Sequence, residues 1–119
     1  MRVAAIVSLC LAAACCKVSA APAKTPPARL LVTAAEFRLS LSRATLKAGP
    51  AIIELQNLGQ DAHDLRLQRV GGKRVYRIAT VQPGAVGELD VTLLAGKFRV
   101  WCSLADHAAL GMRTTLVVR

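Results

Sequence analysis

Gly96-Lys97-Phe98-Arg99-Val100-Trp101-Cys102-Ser103-Leu104-Ala105-Asp106-His107-Ala108-Ala109-Leu110-Gly111-Met112 is the stretch that decides the reading. Its first half alternates. Phe98 and Val100 fall on one side of an extended chain, and Lys97, Arg99 and Trp101 on the other, as in a strand with one face buried. Continuing the alternation turns Cys102 to the side of Phe98 and Val100, toward the interior at the strand's end. The second half reads Cys-x4-His-x4-Met, and a further apolar alternation, Leu116 and Val118, follows it. A thiol, an imidazole and a thioether are thereby gathered in one short loop between two strands.

Working outward, the same period of two recurs. Phe37, Leu39 and Leu41 alternate with Glu36, Arg38 and Ser40. Ile53 and Leu55, Leu65 and Leu67, and Leu89, Val91 and Leu93 each alternate with polar neighbours. Turn signals separate the runs: Gly49-Pro50, Asn57-Leu58-Gly59, Gly71-Gly72, Pro83-Gly84 and Ala95-Gly96. No amphipathic helix of ordinary length and no internal repeat appears. Many short strands in a domain spanning 30–119 predict an all-β, Greek-key β-sandwich. The 119 residues suffice for one such domain.

Ahead of the domain, Met1–Ala20 reads as an export signal: Arg2 supplies a positive start, Val3–Cys16 is a mostly apolar stretch, and Val18-Ser19-Ala20 is a small-x-small cleavage site. The apolar stretch is too short to cross a bilayer as a helix. Leu11-Ala12-Ala13-Ala14-Cys15 also resembles a bacterial lipoprotein signal, so cleavage after Ala20 and lipid attachment at Cys15 both stay open. Residues 21–29, with Pro22, Pro26 and Pro27, read as an extended Pro/Ala/Lys linker. The expected location is periplasmic or otherwise extracytoplasmic.

Removing the signal leaves Cys102 as the only thiol and Met112 as the only methionine, beside two histidines, His63 and His107. A lone cysteine in an exported domain has no internal disulfide to form. Taken singly, such residues are usually core filling or surface polar groups. Three of these scarce types within one inter-strand loop point instead to a metal. His63 opens a strand after the Asn57-Leu58-Gly59 turn and can reach the same pole. Two imidazoles and a thiolate with a weak thioether suit copper in both oxidation states. Structural zinc prefers four nitrogen or sulfur ligands without a thioether.

On these residues the chain resembles the cupredoxins, the type 1 blue-copper proteins. The matching features are Asn57-x-Gly59-x3-His63-Asp64, Pro83-Gly84, Gly96 through Ser103, His107 and Gly111-Met112, with Glu36–Pro50 resembling the first strands. The Cys-x4-His-x4-Met loop is similar to that of auracyanins and rusticyanin and longer than that of plastocyanin. The resemblance implies one type 1 copper held by His63, Cys102, His107 and Met112. Cys102 would be the main electronic path, His63 the buried imidazole, His107 the imidazole near solvent, and Met112 the axial ligand. Leu104, Ala108, Ala109 and Leu110 would form an apolar rim for brief docking. Ala105-Asp106 stands where many relatives carry Pro-Gly, which leaves the loop geometry open. Asp64 stands where many carry Asn. Its carboxylate is either a partner for Ser103 that lowers the potential, so that Asp64→Asn raises it, or a solvated strand-end charge.

The formal charge of +9 becomes +7 once Arg2 and Lys17 leave with the signal. That balance suits an acidic redox partner or aids solubility. Arg66, Arg69, Lys73, Arg74 and Arg77 form either a docking face or a solvated hairpin. The few aromatics make no stacking series among the cations, so no nucleic acid is expected. The expected function is transfer of single electrons between redox proteins by a monomer that is not an enzyme. With both histidines used, no second copper site remains for an oxidase. The alternative is a copper carrier or buffer without a redox role.

Overall fold

A computed structural model describes residues 14–119; the first thirteen residues of the expected export signal lie outside them. Ten elements follow in order: β1 (Ala28–Ala35), β2 (Arg38–Leu41), β3 (Thr45–Leu46), β4 (Gly49–Asn57), β5 (His63–Arg69), β6 (Val75–Val81), β7 (Val86–Leu93), β8 (Gly96–Trp101), α1 (His107–Leu110) and β9 (Arg113–Val118). The strands form two sheets, β2-β1-β4-β7 and β3-β9-β8-β5-β6. Most pairs are antiparallel, but β1 runs parallel to β4 and β3 parallel to β9. None of the described helices is long and apolar enough to cross a membrane.

The alternation dictates the packing. Leu30, Val32 and Ala34 of β1, Ile53 and Leu55 of β4, Leu65 and Leu67 of β5, and Phe98 and Val100 of β8 are all buried between the sheets. Each fully buried Leu, Ile or Phe contributes about 1.5–3 kcal/mol relative to exposure. β1 begins at Ala28, paired with Ala51, so Ala28 and Arg29 of the expected linker belong to the sheet. The alternating run from Glu36 is divided: Glu36 and Phe37 form the tip of the β1–β2 hairpin, where Ala35 pairs with Arg38.

One irregularity matters for function. His63 pairs with Val81 and Leu65 with Ile78, so β6 spends an extra residue where β5 starts. Such a bulge re-aims side chains. Here it accompanies three consecutive buried residues, His63, Asp64 and Leu65, where a regular pleat would turn Asp64 outward.

Candidate metal centre

Four elements meet at one pole of the sandwich. His63 opens β5, Cys102 follows β8, His107 opens α1, and Met112 lies between α1 and β9. Cys102, as its strand parity requires, is buried on the side of Phe98 and Val100. The β8–β9 ladder continues past its last pair, Trp101 with Arg113, because the Cys102 N–H donates to the Met112 carbonyl at 3.0 Å. Met112 is therefore opposite Cys102, and its side chain is fully buried.

Three donors converge. Cys102 Sγ lies 3.6 Å from His107 Nδ1 and 4.0 Å from His63 Nδ1. The three ligand atoms lie within 4.8 Å of one another. Bonds of about 2.0 Å to nitrogen and 2.3 Å to sulfur, spread at 120° around one ion, would separate the nitrogen from the sulfur by about 3.7 Å. The observed separations fit a shared metal ion, and a donor set of two imidazole nitrogens and one thiolate sulfur suits one copper.

Burial pushes the Cys102 thiol above its ordinary value, and the nearby Asp64 charge adds to this. The Asp64 and Leu104 backbone N–H groups act the other way. A thiol in this setting gains its strongest reason to ionise from a bound cation.

Of the two placements left open for Asp64, the structure shows the one beside Ser103. Asp64 is 1% exposed, not a solvated carboxylate. The β5–β8 register, Arg66 with Trp101, continued by two residues would set Asp64 opposite Ser103. There the carboxylate accepts from Ser103 N at 2.6 Å and from its hydroxyl at 2.5 Å. Arg66 balances the charge at 3.1 Å. The side chain thus replaces the main-chain ladder and pins the start of the ligand loop. Within that loop the left-handed residue is Ala105, at φ 43°, while Asp106 stays at φ −97°.

Sequence reasoning missed the residues behind the imidazoles. Glu36 Oε1 accepts from the backbone N–H of Gln60 at 2.9 Å and Asp61 at 2.8 Å, and lies 2.9 Å from His63 Nε2. The two backbone donors, ahead of an opposing effect of burial and a further lowering by His63, hold its carboxyl at about 2. Asn57, fully buried, donates to the carbonyls of Asp61 and Val81 and accepts from Gly59 N, which fixes the loop leading to His63. The Phe37 ring packs on His107 at 5.2 Å between centroids. The only sequence signal for Glu36 was its place in an alternating run, which marks a strand face rather than a partner.

No family model matches the sequence, and no curated protein matches it. Solved structures do. The chain superimposes on auracyanin A, a "blue" copper protein of the green thermophilic photosynthetic bacterium Chloroflexus aurantiacus, with a TM-score of 0.64 and 16% identity over 79% of this chain and 100% of that one. A mutant of amicyanin in its reduced Cu(I) form gives 0.54 and 18%, over 82% and 87%. A multicopper oxidase gives 0.60 and 15%, but only 45% of that chain is covered against 79% of this one. At these identities the likeness speaks for architecture, and the architecture is the cupredoxin fold.

Proposed function

We propose that the protein is an exported electron carrier that cycles one copper ion between Cu(I) and Cu(II), which His63, Cys102 and His107 would hold, with the Met112 thioether as a weaker further ligand. The observation that carries this reading is the buried His63–Cys102–His107 group. Copper would supply the one-electron couple; the chain supplies a donor set acceptable to both oxidation states. His63, Cys102 and Met112 are sealed from solvent, whereas the His107 side chain is 11% exposed. Sealing favours an ion that stays and passes electrons over one that is handed on as cargo. It also favours a carrier over an enzyme, since none of the four leaves an open position for a substrate.

His107 is the exit. Two exposed apolar residues, Phe37 and Leu58, would extend the rim expected from the loop, of which Leu110 is exposed. The basic cluster divides: Arg66 and Arg77 are cross-strand neighbours on the outer face of the five-stranded sheet, while Lys73 and Arg74 lie in the β5–β6 hairpin at the far end. Arg66 pairs onward with Trp101 and Trp101 with Arg113, beside a groove that Gln68, Arg99 and Thr115 also line. Arg66 is held by Asp64, so the charge this face would offer an acidic redox partner is that of the exposed Arg77, Arg99 and Arg113. The electron-exchange rate should fall as salt rises.

The test is the visible spectrum after adding Cu(II), beside Cys102→Ser. An intense blue thiolate-to-copper band, lost in the variant, is expected. A colourless protein would overturn the reading. Copper release to an acceptor apoprotein without a reversible potential would favour carriage over electron transfer.

A further inference from the structure

We propose that Glu36, at the tip of the β1–β2 hairpin, is a positioning residue for the metal centre: it fixes the orientation and tautomer of His63 from the opposite sheet, and its charge biases the centre toward the oxidised ion. The inference rests on the copper reading above.

The hydrogen bonds leave little freedom. An ionised carboxylate accepts and cannot donate. Glu36 Oε1, already accepting from Gln60 N and Asp61 N, therefore requires the proton of His63 to sit on Nε2, 2.9 Å away. That leaves Nδ1 bare, and Nδ1 is the atom facing Cys102 Sγ. The imidazole is fully buried, so no solvent competes for Nε2. A carboxylate behind a ligating histidine orients the ring and raises its basicity.

The surroundings are shaped for this contact. A Cβ at Gly59 would overlap the Glu36 carboxylate. The same hairpin tip reaches the second imidazole: Phe37 packs at a tilt on His107, and its carbonyl lies 2.8 Å from where a Cβ at Gly111 would stand. A two-residue turn of one sheet thus touches both histidines presented by the other. No carboxylate among the described residues touches His107 as closely, since Asp61 Oδ2 is 3.9 Å from its Nε2 and half exposed.

The charge has a direction. A negative group behind one imidazole stabilises Cu(II) more than Cu(I), because the higher charge gains more from it. Glu36→Gln keeps size and an acceptor oxygen but removes the charge; Glu36→Ala removes both. Glu36→Gln should weaken Cu(II) by about tenfold to a hundredfold and Cu(I) less. The potential should then rise by about 59 mV for each tenfold difference between the two.

Two measurements on the full chain decide the matter. Nitrogen-15 NMR of the imidazoles without metal reads the tautomer directly. His63 should carry its proton on Nε2 in the parent and in Glu36→Gln, and lose that single tautomer in Glu36→Ala. Voltammetry of the copper-loaded parent and Glu36→Gln reads the charge effect. Nδ1 protonation in the parent, or a potential and a Cu(II) affinity both unmoved by Glu36→Gln, would overturn the proposal. The NMR arm needs no copper, so its result stands apart from the fate of the copper reading, and Glu36→Gln carries the test should Glu36→Ala fail to fold.

Discussion

The two histidines of the centre are set in opposite ways. His63 belongs to a seven-residue strand, has no exposed surface, and is backed by a carboxylate that is itself tied to two backbone N–H groups. His107 opens a four-residue helix without a side-chain N-cap, keeps an edge in solvent, and is backed by an aromatic ring. A strand fixes one buried imidazole by ladder and charge, while a short loop leaves the other at the surface. In the proposed centre, tuning and access would therefore fall on different imidazoles.

The largest expected effect asks whether that separation holds. His107→Gly should lose the blue band and regain it when free imidazole is added, because the gap opens to solvent. His63→Gly should stay colourless under the same treatment, since its site is sealed. Rescue of both, or of neither, would erase the distinction. The absorption titration decides it.

Next in size is Gly111→Ala, which strikes the His107 loop first. Gly111 caps α1 at φ 129°, and its new Cβ would press on the Phe37 carbonyl. We expect a loss of about 1–3 kcal/mol in denaturant unfolding, with the loop carrying Met112 displaced. An unchanged unfolding midpoint would show that the loop yields freely.

Acid strikes the His63 side. The Glu36 carboxyl sits at about 2 when folded, against 4.5 ordinarily. A depressed carboxyl contributes stability that is complete above its ordinary value and is lost as pH falls toward the folded one. Metal-free protein should thus lose stability between pH 4.5 and about 2, and Glu36→Gln should flatten that part of the curve. Parallel curves would mean that the carboxylate contributes nothing to the fold.

The smallest effect returns to the His107 loop. Ala105 holds a left-handed angle that costs an L-residue about 1–2 kcal/mol. Ala105→Gly should relieve part of it, raising the unfolding free energy by about 1 kcal/mol net of glycine's greater unfolded freedom. A fall would show that the loop is not strained there.

These contrasts also explain what could be read from the chain. The His107 side was legible because Cys102, His107 and Met112 are scarce types at short spacing beside an alternating strand. β4, β5, β7 and β8 announced themselves by polar and apolar contrast. β1 did so only weakly, because two of its outward residues, Leu31 and Ala35, are as apolar as its inward ones. β6 did not, because the bulge leaves only Ile78 and Val81 buried, three apart. The backing of His63 was illegible because Glu36 meets it across the sandwich, and a contact between residues so distant in sequence leaves no local pattern. The loop geometry left open at Ala105-Asp106 was equally illegible, because nothing in the sequence marks Ala105 for a left-handed angle.

The narrow exposure of His107 has a consequence for traffic. Of the four residues in the proposed centre it alone meets solvent, so an ion entering or leaving and an electron passing to a partner would use the same doorway. A docked partner would close that doorway to ions while leaving it open to electrons. Copper exchange and redox turnover should then exclude one another in time, with the protein at its most retentive while it is at work.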